Sequence, residues 1–232
     1  MTSDTSLPLL EGRDLTVSFG ETSALRGATI PVGTGEIVAL MGPSGSGKST
    51  LLHCLAGVLV PDAGSVRIGD LELSEASERK RSAFRLRSVG FVFQFGDLVP
   101  ELTLVENVAL PLQLNGVRPR EADARARSVM ADLGVLDVAD RRAGAVAGGQ
   151  AQRAAVARAL VHRPRVIFAD EPTGSLDTVA GEAVLDALVS LARDAGTSVL
   201  IVTHDNRVAA HADRLVTMRD GCVVAPDMAS VR

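Results

Sequence analysis

The sequence predicts an α/β protein with a mainly parallel sheet, covering helices and an inserted helical subdomain. Three features predict it. Apolar runs of strand length recur at 36–41 (EIVALM), 165–170 (RVIFAD) and 198–203 (SVLIVT). After Pro164, strand and helix patterns alternate, as parallel strands joined by crossover helices require. Between them, from about Thr103 to Val161, apolar residues recur at helical spacing.

Taken in order, Leu15, Val17 and Phe19 alternate with polar residues, the pattern of a half-buried strand. The apolar run 36–41 suits a buried strand, and STLLHCLAG behind it suits a helix; otherwise the region before Gln94 reads as short strands punctuated by glycine, with few helices. Three helical stretches follow: LTLVENVALPLQL, then EADARARSVMADLGV with Val129, Met130 and Leu133 on its apolar side, then QAQRAAVARALV, opened by Gln150. The last part predicts a strand at 165–170, a helix over 180–195, a strand at 198–203 and a short helix near 206–212. LVTM and CVVA then flank a turn at Asp220-Gly221. The expected division is one domain over 1–232, with its core at about 10–94 and 164–225 and the helical subdomain at about 95–163.

Composition narrows the function. The chain has 232 residues and a formal charge of −4, from 24 basic and 28 acidic residues. It therefore gives no electrostatic reason to expect nucleic acid as a partner. Six Phe with no Trp or Tyr argue against stacking platforms for single strands. Cys54 and Cys222, the two cysteines, exclude a disulfide framework or a four-cysteine zinc site and suit a reducing compartment. No apolar run reaches the roughly 20 residues that span a bilayer, and the start MTSDTSLPLLEGRD lacks a basic-then-apolar leader pattern. The expectation is a protein neither secreted nor self-inserting, which leaves a membrane partner open.

Gly42-Pro43-Ser44-Gly45-Ser46-Gly47-Lys48-Ser49 satisfies G-x-x-x-x-G-K-[ST] between a strand and a helix. Glycines let consecutive N–H groups face phosphates, and the helix that runs on through Thr50 adds its positive end. Lys48 is placed to reach the β- and γ-phosphates and Ser49 to ligate Mg²⁺. A Gly/Ser turn with a solvated lysine would explain the glycines but not the strand and helix around them. Asp170-Glu171 ends an apolar strand; Asp170 suits the Mg²⁺ shell and Glu171 suits polarising a water. Alone, the pair reads equally as a turn before Pro172.

With these motifs in this order, the sequence resembles the nucleotide-binding subunit of an ATP-binding-cassette transporter over nearly its whole length. The resemblance implies a RecA-like P-loop NTPase core with an N-terminal antiparallel β part. Val146-Ala147-Gly148-Gly149-Gln150 resembles the family signature, which in the family faces the γ-phosphate held by a second subunit. That implies a head-to-tail dimer, homomeric or heteromeric, with two ATP between the subunits; read alone, Gly148 and Gly149 are equally a plain helix entry. Gln94 in GFVFQ matches a glutamine that senses Mg²⁺ and the γ-phosphate, and His204 a histidine that contacts the γ-phosphate and orders the catalytic water. Ser175-Leu176-Asp177 matches an intersubunit loop, although Asp177 serves equally as the cap of the next helix. His53, His162 and His211 match nothing in the family.

Two positions depart from it. Phe19 stands where the family has an aromatic, commonly Tyr, stacked on adenine, so stacking survives without the hydroxyl. Ala147 stands where the signature ordinarily has Ser, which removes a hydrogen bond to a charged group worth about 1.5–3 kcal/mol. The segment FVFQFGDLVPELTLVENVALPLQLNG, with ADEPTGSLD, is most similar to the exporter-type subfamily of macrolide-efflux, lipoprotein-release and peptide-resistance ATPases. The resemblance implies a cytoplasmic ATPase, peripheral on the inner face of the membrane, driving a separate permease. Phe95, Leu98, Val99 and Leu102 are the candidate docking patch, or equally subdomain core. A non-transport cassette ATPase, or an ATP-sensing dimerisation module with little turnover, is the competing reading.

Overall fold

The computed structural model describes residues 7–224. Ala225, the end of the last expected strand, and the first six residues of the N-terminal stretch lie outside the described residues.

β1 (Leu10–Phe19) forms a hairpin with β2 (Thr22–Val32) and pairs on its other side with β4 (Ala63–Ile68), which pairs with β5 (Leu71–Glu72). Every contact is antiparallel, giving a four-stranded sheet ordered β2-β1-β4-β5. Alternation buries Leu15 and Val17 but not Phe19, which is 56% exposed. Phe19 is the last residue of β1, at the hairpin end, where the burial of the strand's inner face stops.

The second sheet has six strands ordered β10-β9-β3-β8-β7-β6. They are β3 (Ile37–Met41), β6 (Val89–Val92), β7 (Val166–Asp170), β8 (Ser198–Val202), β9 (Arg214–Arg219) and β10 (Cys222–Val224). All neighbours run parallel except the β9–β10 hairpin. β3, β7 and β8 are covered on both faces, which is why each is a continuous apolar run. Val166, Phe168, Leu200 and Val202 face a core shared with the antiparallel sheet and α1 (Lys48–Leu55). Ile167, Ala169, Val199 and Ile201 face the opposite core. That core is shared with α3 (Leu104–Leu114), α4 (Pro119–Asp132), α5 (Gly148–Leu160) and α6 (Thr178–Ala195).

Local chemistry sets the helix ends. Thr103 caps α3 by a reciprocal pair: its Oγ1 accepts from the Glu106 N–H at 3.3 Å, and Glu106 Oε2 accepts from the Thr103 N–H at 2.7 Å. The helical run that begins in sequence at Leu102 therefore begins in space at Leu104. α5 likewise opens at Gly148 rather than at Gln150, which sits a turn inside and accepts the Ala147 N–H at 3.2 Å. The short C-terminal helix, α7 (Asn206–Ala209), is shorter than its 206–212 pattern. One helix had no periodic signal: α2 (Glu78–Ser88) buries none of its residues fully. Arginines hold it, with Arg81 Nη1 donating to the Ala76 carbonyl and Arg85 Nη1 to that of Gly57.

Asp213 clips β9 to the start of β3. Its Oδ2 accepts the Ile37 N–H at 2.9 Å and its Oδ1 accepts from Arg193 at 2.6 Å. The Arg193 guanidinium, then the Ile37 amide, hold this carboxyl below the usual carboxylate range. A depressed folded-state pKa means the contribution is complete above the ordinary carboxylate pKa and is lost as pH falls through the lowered value. Asp213→Ala is expected to lower unfolding free energy by roughly 1–3 kcal/mol at neutral pH. The deficit against the parent chain should shrink in acid, as measured by denaturant titration.

Candidate functional site

Because the strands are parallel, the loops leaving β3, β6, β7 and β8 emerge at one edge, where ligands bind such sheets. Those loops carry, respectively, Gly42 to Gly47, Gln94, Glu171 and His204, and Asp170 closes β7 itself. The crossover topology thus gathers residues up to 162 positions apart, from Gly42 to His204.

The loop after β3 is shaped by its glycines. Gly42 and Gly47 have φ of 155° and 101°. A Cβ on Gly42 would lie 2.2 Å from the Met218 carbonyl oxygen, and one on Gly47 2.5 Å from that of Ala24. Only glycine fits both positions. Lys48 Nζ folds back over the loop and donates to the Gly42 and Pro43 carbonyls at 2.8 and 2.9 Å. Ser46 is buried, and its N–H reaches the Pro43 carbonyl at 3.2 Å.

Ser49 Oγ donates to Asp170 Oδ2 at 3.1 Å, joining the helix after the loop to the end of β7. Burial pushes the Asp170 pKa up, against the Ser49 hydrogen bond and with the neighbouring Glu171 charge. Glu171 has φ 47°, a left-handed conformation costing a non-glycine residue of order 1–3 kcal/mol. Its N–H is tied to the Val202 carbonyl at 2.9 Å. Its carboxylate meets His204 Nδ1 at 2.7 Å through Oε1 and accepts from Thr203 Oγ1 at 3.3 Å through Oε2. The hydrogen bond between His204 and Glu171, then the Glu171 charge, raise the His204 pKa.

A cavity of about 400 Å³ is lined by Ser44, Gly45, Lys48, Ser49, Gln94, Asp170 and Glu171, among others. The structure thus brings together the phosphate loop, both carboxylates and Gln94, with His204 behind Glu171. Phe19, Ala147, Gly148, Gly149, Gln150 and Asp177 do not line it. A Cβ on Gly148 would come no nearer than 3.9 Å to Leu176, and one on Gly149 no nearer than 3.7 Å to Ala180. Asp177 Oδ1 accepts the Ala180 N–H at 3.0 Å and so caps α6, the alternative its sequence left open. Ala147, at the N-cap of α5, offers no side-chain acceptor.

Of the proposed docking patch, Phe95 is 74% exposed and Val99 37%, whereas Leu98 packs on the core. Leu102 is half-buried. His162 and His211 make local contacts, to the Val89 carbonyl at 3.0 Å and to Asp186 at 3.1 Å. Burial raises the Cys54 thiol pKa to about 12, leaving it an inert core residue.

Sequence reasoning missed Thr203 and Gln152. Thr203 was legible as the polar end of SVLIVT; Gln152 belongs to the AQR that follows Gln150 in the signature-like stretch, but nothing local assigns it a role.

No helix among the described residues is long and apolar enough to cross a membrane. Residues 25–174 match the family model described as ABC transporter. A lipoprotein-releasing system ATP-binding protein, LolD, of Cereibacter sphaeroides is 50% identical over 206 residues, covering 88% of this chain and 92% of that protein. The protein of the same name from Bacteroides thetaiotaomicron is 44% identical, covering 92% and 97%. The dimeric structure of MJ0796, a bacterial ABC transporter cassette, superposes with a TM-score of 0.87 at 35% identity, covering 93% of this chain and 97% of that one. A dimeric post-hydrolysis state of the same cassette, bound to ADP and Pi, gives 0.86 at 34% identity.

Proposed function

The chain belongs to the ABC transporter family as an ATP-binding ATPase subunit, and from that premise we propose how its residues divide the work. Gly42 to Thr50 cradle the phosphates of ATP, Lys48 exchanging its two loop carbonyls for the β- and γ-phosphates. Ser49, Asp170 and Gln94 offer the hard oxygen donors that suit Mg²⁺, and these residues would hold the ion. When bound, Mg²⁺ neutralises charge on the phosphates.

Glu171 takes a proton from the attacking water, and His204 orients it. The observation that carries this is the geometry of Glu171: a carboxylate fixed by His204 and Thr203 on the wall of the cavity that also holds Lys48 and Ser49. Phe19, exposed at the end of β1, is free to stack on adenine.

Ala147, Gly148, Gly149, Gln150 and Asp177 serve a second copy or a homologous subunit, facing its nucleotide across a head-to-tail dimer. That none of them lines this chain's own phosphate-loop cavity supports that assignment. Residues 10–94 and 164–225 act as the ATP-holding core and 95–163 as the helical part.

The dimer drives a membrane permease at the inner face of the membrane. Phe95 and Val99 follow Gln94 directly, so a cytoplasmic helix of the permease seated on them would sense the nucleotide site. The cargo that the relatives' names support is a lipoprotein released from the membrane. The test is release of a lipoprotein from membranes by the chain reconstituted with its permease, with ATP and without it.

An ATP-sensing module with little turnover is favoured by one observation only, the missing hydroxyl of Ala147. Ala147→Ser is expected to raise steady-state ATPase activity of a homodimer by roughly tenfold, the value of one charge-assisted hydrogen bond. It should also raise thermal stability by completing the α5 cap. A gain in stability without a gain in rate would show that Gly148, Gly149 and the helix terminus already suffice.

A further inference from the structure

The last ladder rungs between β6 and β7 pair Val92 with Ala169. Beyond them the two chains leave the sheet, one toward Gln94 and the other toward Glu171. Gln152, only 2% exposed, bridges them from α5. Its Nε2 donates to the Phe93 carbonyl at 2.8 Å and to the Pro172 carbonyl at 2.7 Å. Both acceptors sit one residue from a proposed site residue. A second tie crosses the same gap, Ser175 Oγ donating to the Gln94 carbonyl at 2.7 Å.

We infer that Gln152 is a positioning residue: its buried amide fastens the helix that carries Ala147 to Gln150 to the backbone beside Gln94 and beside Glu171, so the three segments shift together. The inference rests on the site roles proposed above. Glu171 is held left-handed at φ 47°, a conformation that persists only where its surroundings enforce it. The Val202 carbonyl holds it on one side, and Gln152, through Pro172, holds it on the other. A displacement of α5 by a partner's nucleotide is therefore passed to this chain's own Glu171 by the Gln152 amide. The amide donates to the Phe93 and Pro172 carbonyls and to no phosphate-loop residue, so the effect is expected on rate more than on ATP affinity.

The experiment is steady-state ATP hydrolysis by the full chain carrying Gln152→Leu or Gln152→Glu, beside the parent and Lys48→Ala. Hydrolysis by the parent and its loss in Lys48→Ala establish the site independently of Gln152. Gln152→Leu is expected to lower kcat by roughly 10- to 100-fold, the scale of a small misplacement of a reacting group, with KM for ATP changed by less than about threefold. Gln152→Glu has the same shape and regains one donor when protonated, so its kcat relative to the parent should fall as pH rises; it carries the test if the leucine variant does not fold. A structural role alone would lower melting temperature and leave kcat per folded molecule unchanged. Folded variants that keep kcat within about twofold of the parent across pH, or that lose ATP affinity in place of rate, would overturn the inference.

Discussion

Glu171→Gln is expected to lower ATP turnover by roughly 10²- to 10⁴-fold, the range a positioned general base contributes, while leaving ATP binding intact. The amide keeps the shape of the carboxylate and its hydrogen bond from Thr203, which lies 3.3 Å from Oε2. What it loses is the basic oxygen, together with the charge that holds His204 at 2.7 Å. Without hydrolysis the ATP-bound pair of subunits should persist, since the γ-phosphates that would join them in the proposed dimer are not removed. Size-exclusion chromatography with ATP and Mg²⁺ should therefore show a dimer for this variant and a monomer without nucleotide. A variant that remains monomeric at high protein and ATP concentration would sink the shared-site arrangement. Parent-like turnover would remove Glu171 from the base role.

Lys48→Ala should act earlier, on binding. Each lost hydrogen bond to a charged group is worth about 1.5–3 kcal/mol, so ATP should bind at least tenfold more weakly, with turnover falling at least as far. The fold should tolerate the change. The acceptors Lys48 gives up, the Gly42 and Pro43 carbonyls, lie in a half-exposed loop where water can replace the ammonium. Binding measured by fluorescent-nucleotide displacement, beside an unchanged melting temperature without nucleotide, separates this outcome from unfolding. Parent-like affinity would remove the phosphate-loop assignment.

The contrast between these two residues and Gln152 shows what kind of residue a sequence makes legible. Lys48 and Glu171 were legible because each belongs to a local pattern: a glycine-rich turn between strand and helix, and an acidic pair ending an apolar strand. Their chemistry follows from neighbours within a few positions. α2 was not legible, because arginines bonded to distant carbonyls hold it and no apolar stripe marks it. Phe19 was misplaced by alternation because it ends β1, and how far along a strand its inner face stays covered depends on what packs over it. Asp177 was left undecided between loop and cap, and the 3.0 Å contact with the Ala180 N–H resolved its local role.

By itself, then, the sequence determined the parallel architecture, since strands covered on both faces must be continuously apolar, and it determined the phosphate loop and the acidic pair, since their geometry is made by adjacent residues. Tertiary structure alone decided that Ser49 meets Asp170 across 121 positions, that His204 and Thr203 grip Glu171, and that Gln152 spans the gap beyond β6 and β7. The physical reason is that hydrogen bonds are short and directional. A pairing between distant residues exists only after packing has brought the sheet edge and α5 to within about 3 Å of each other, and no local pattern in the chain encodes that distance.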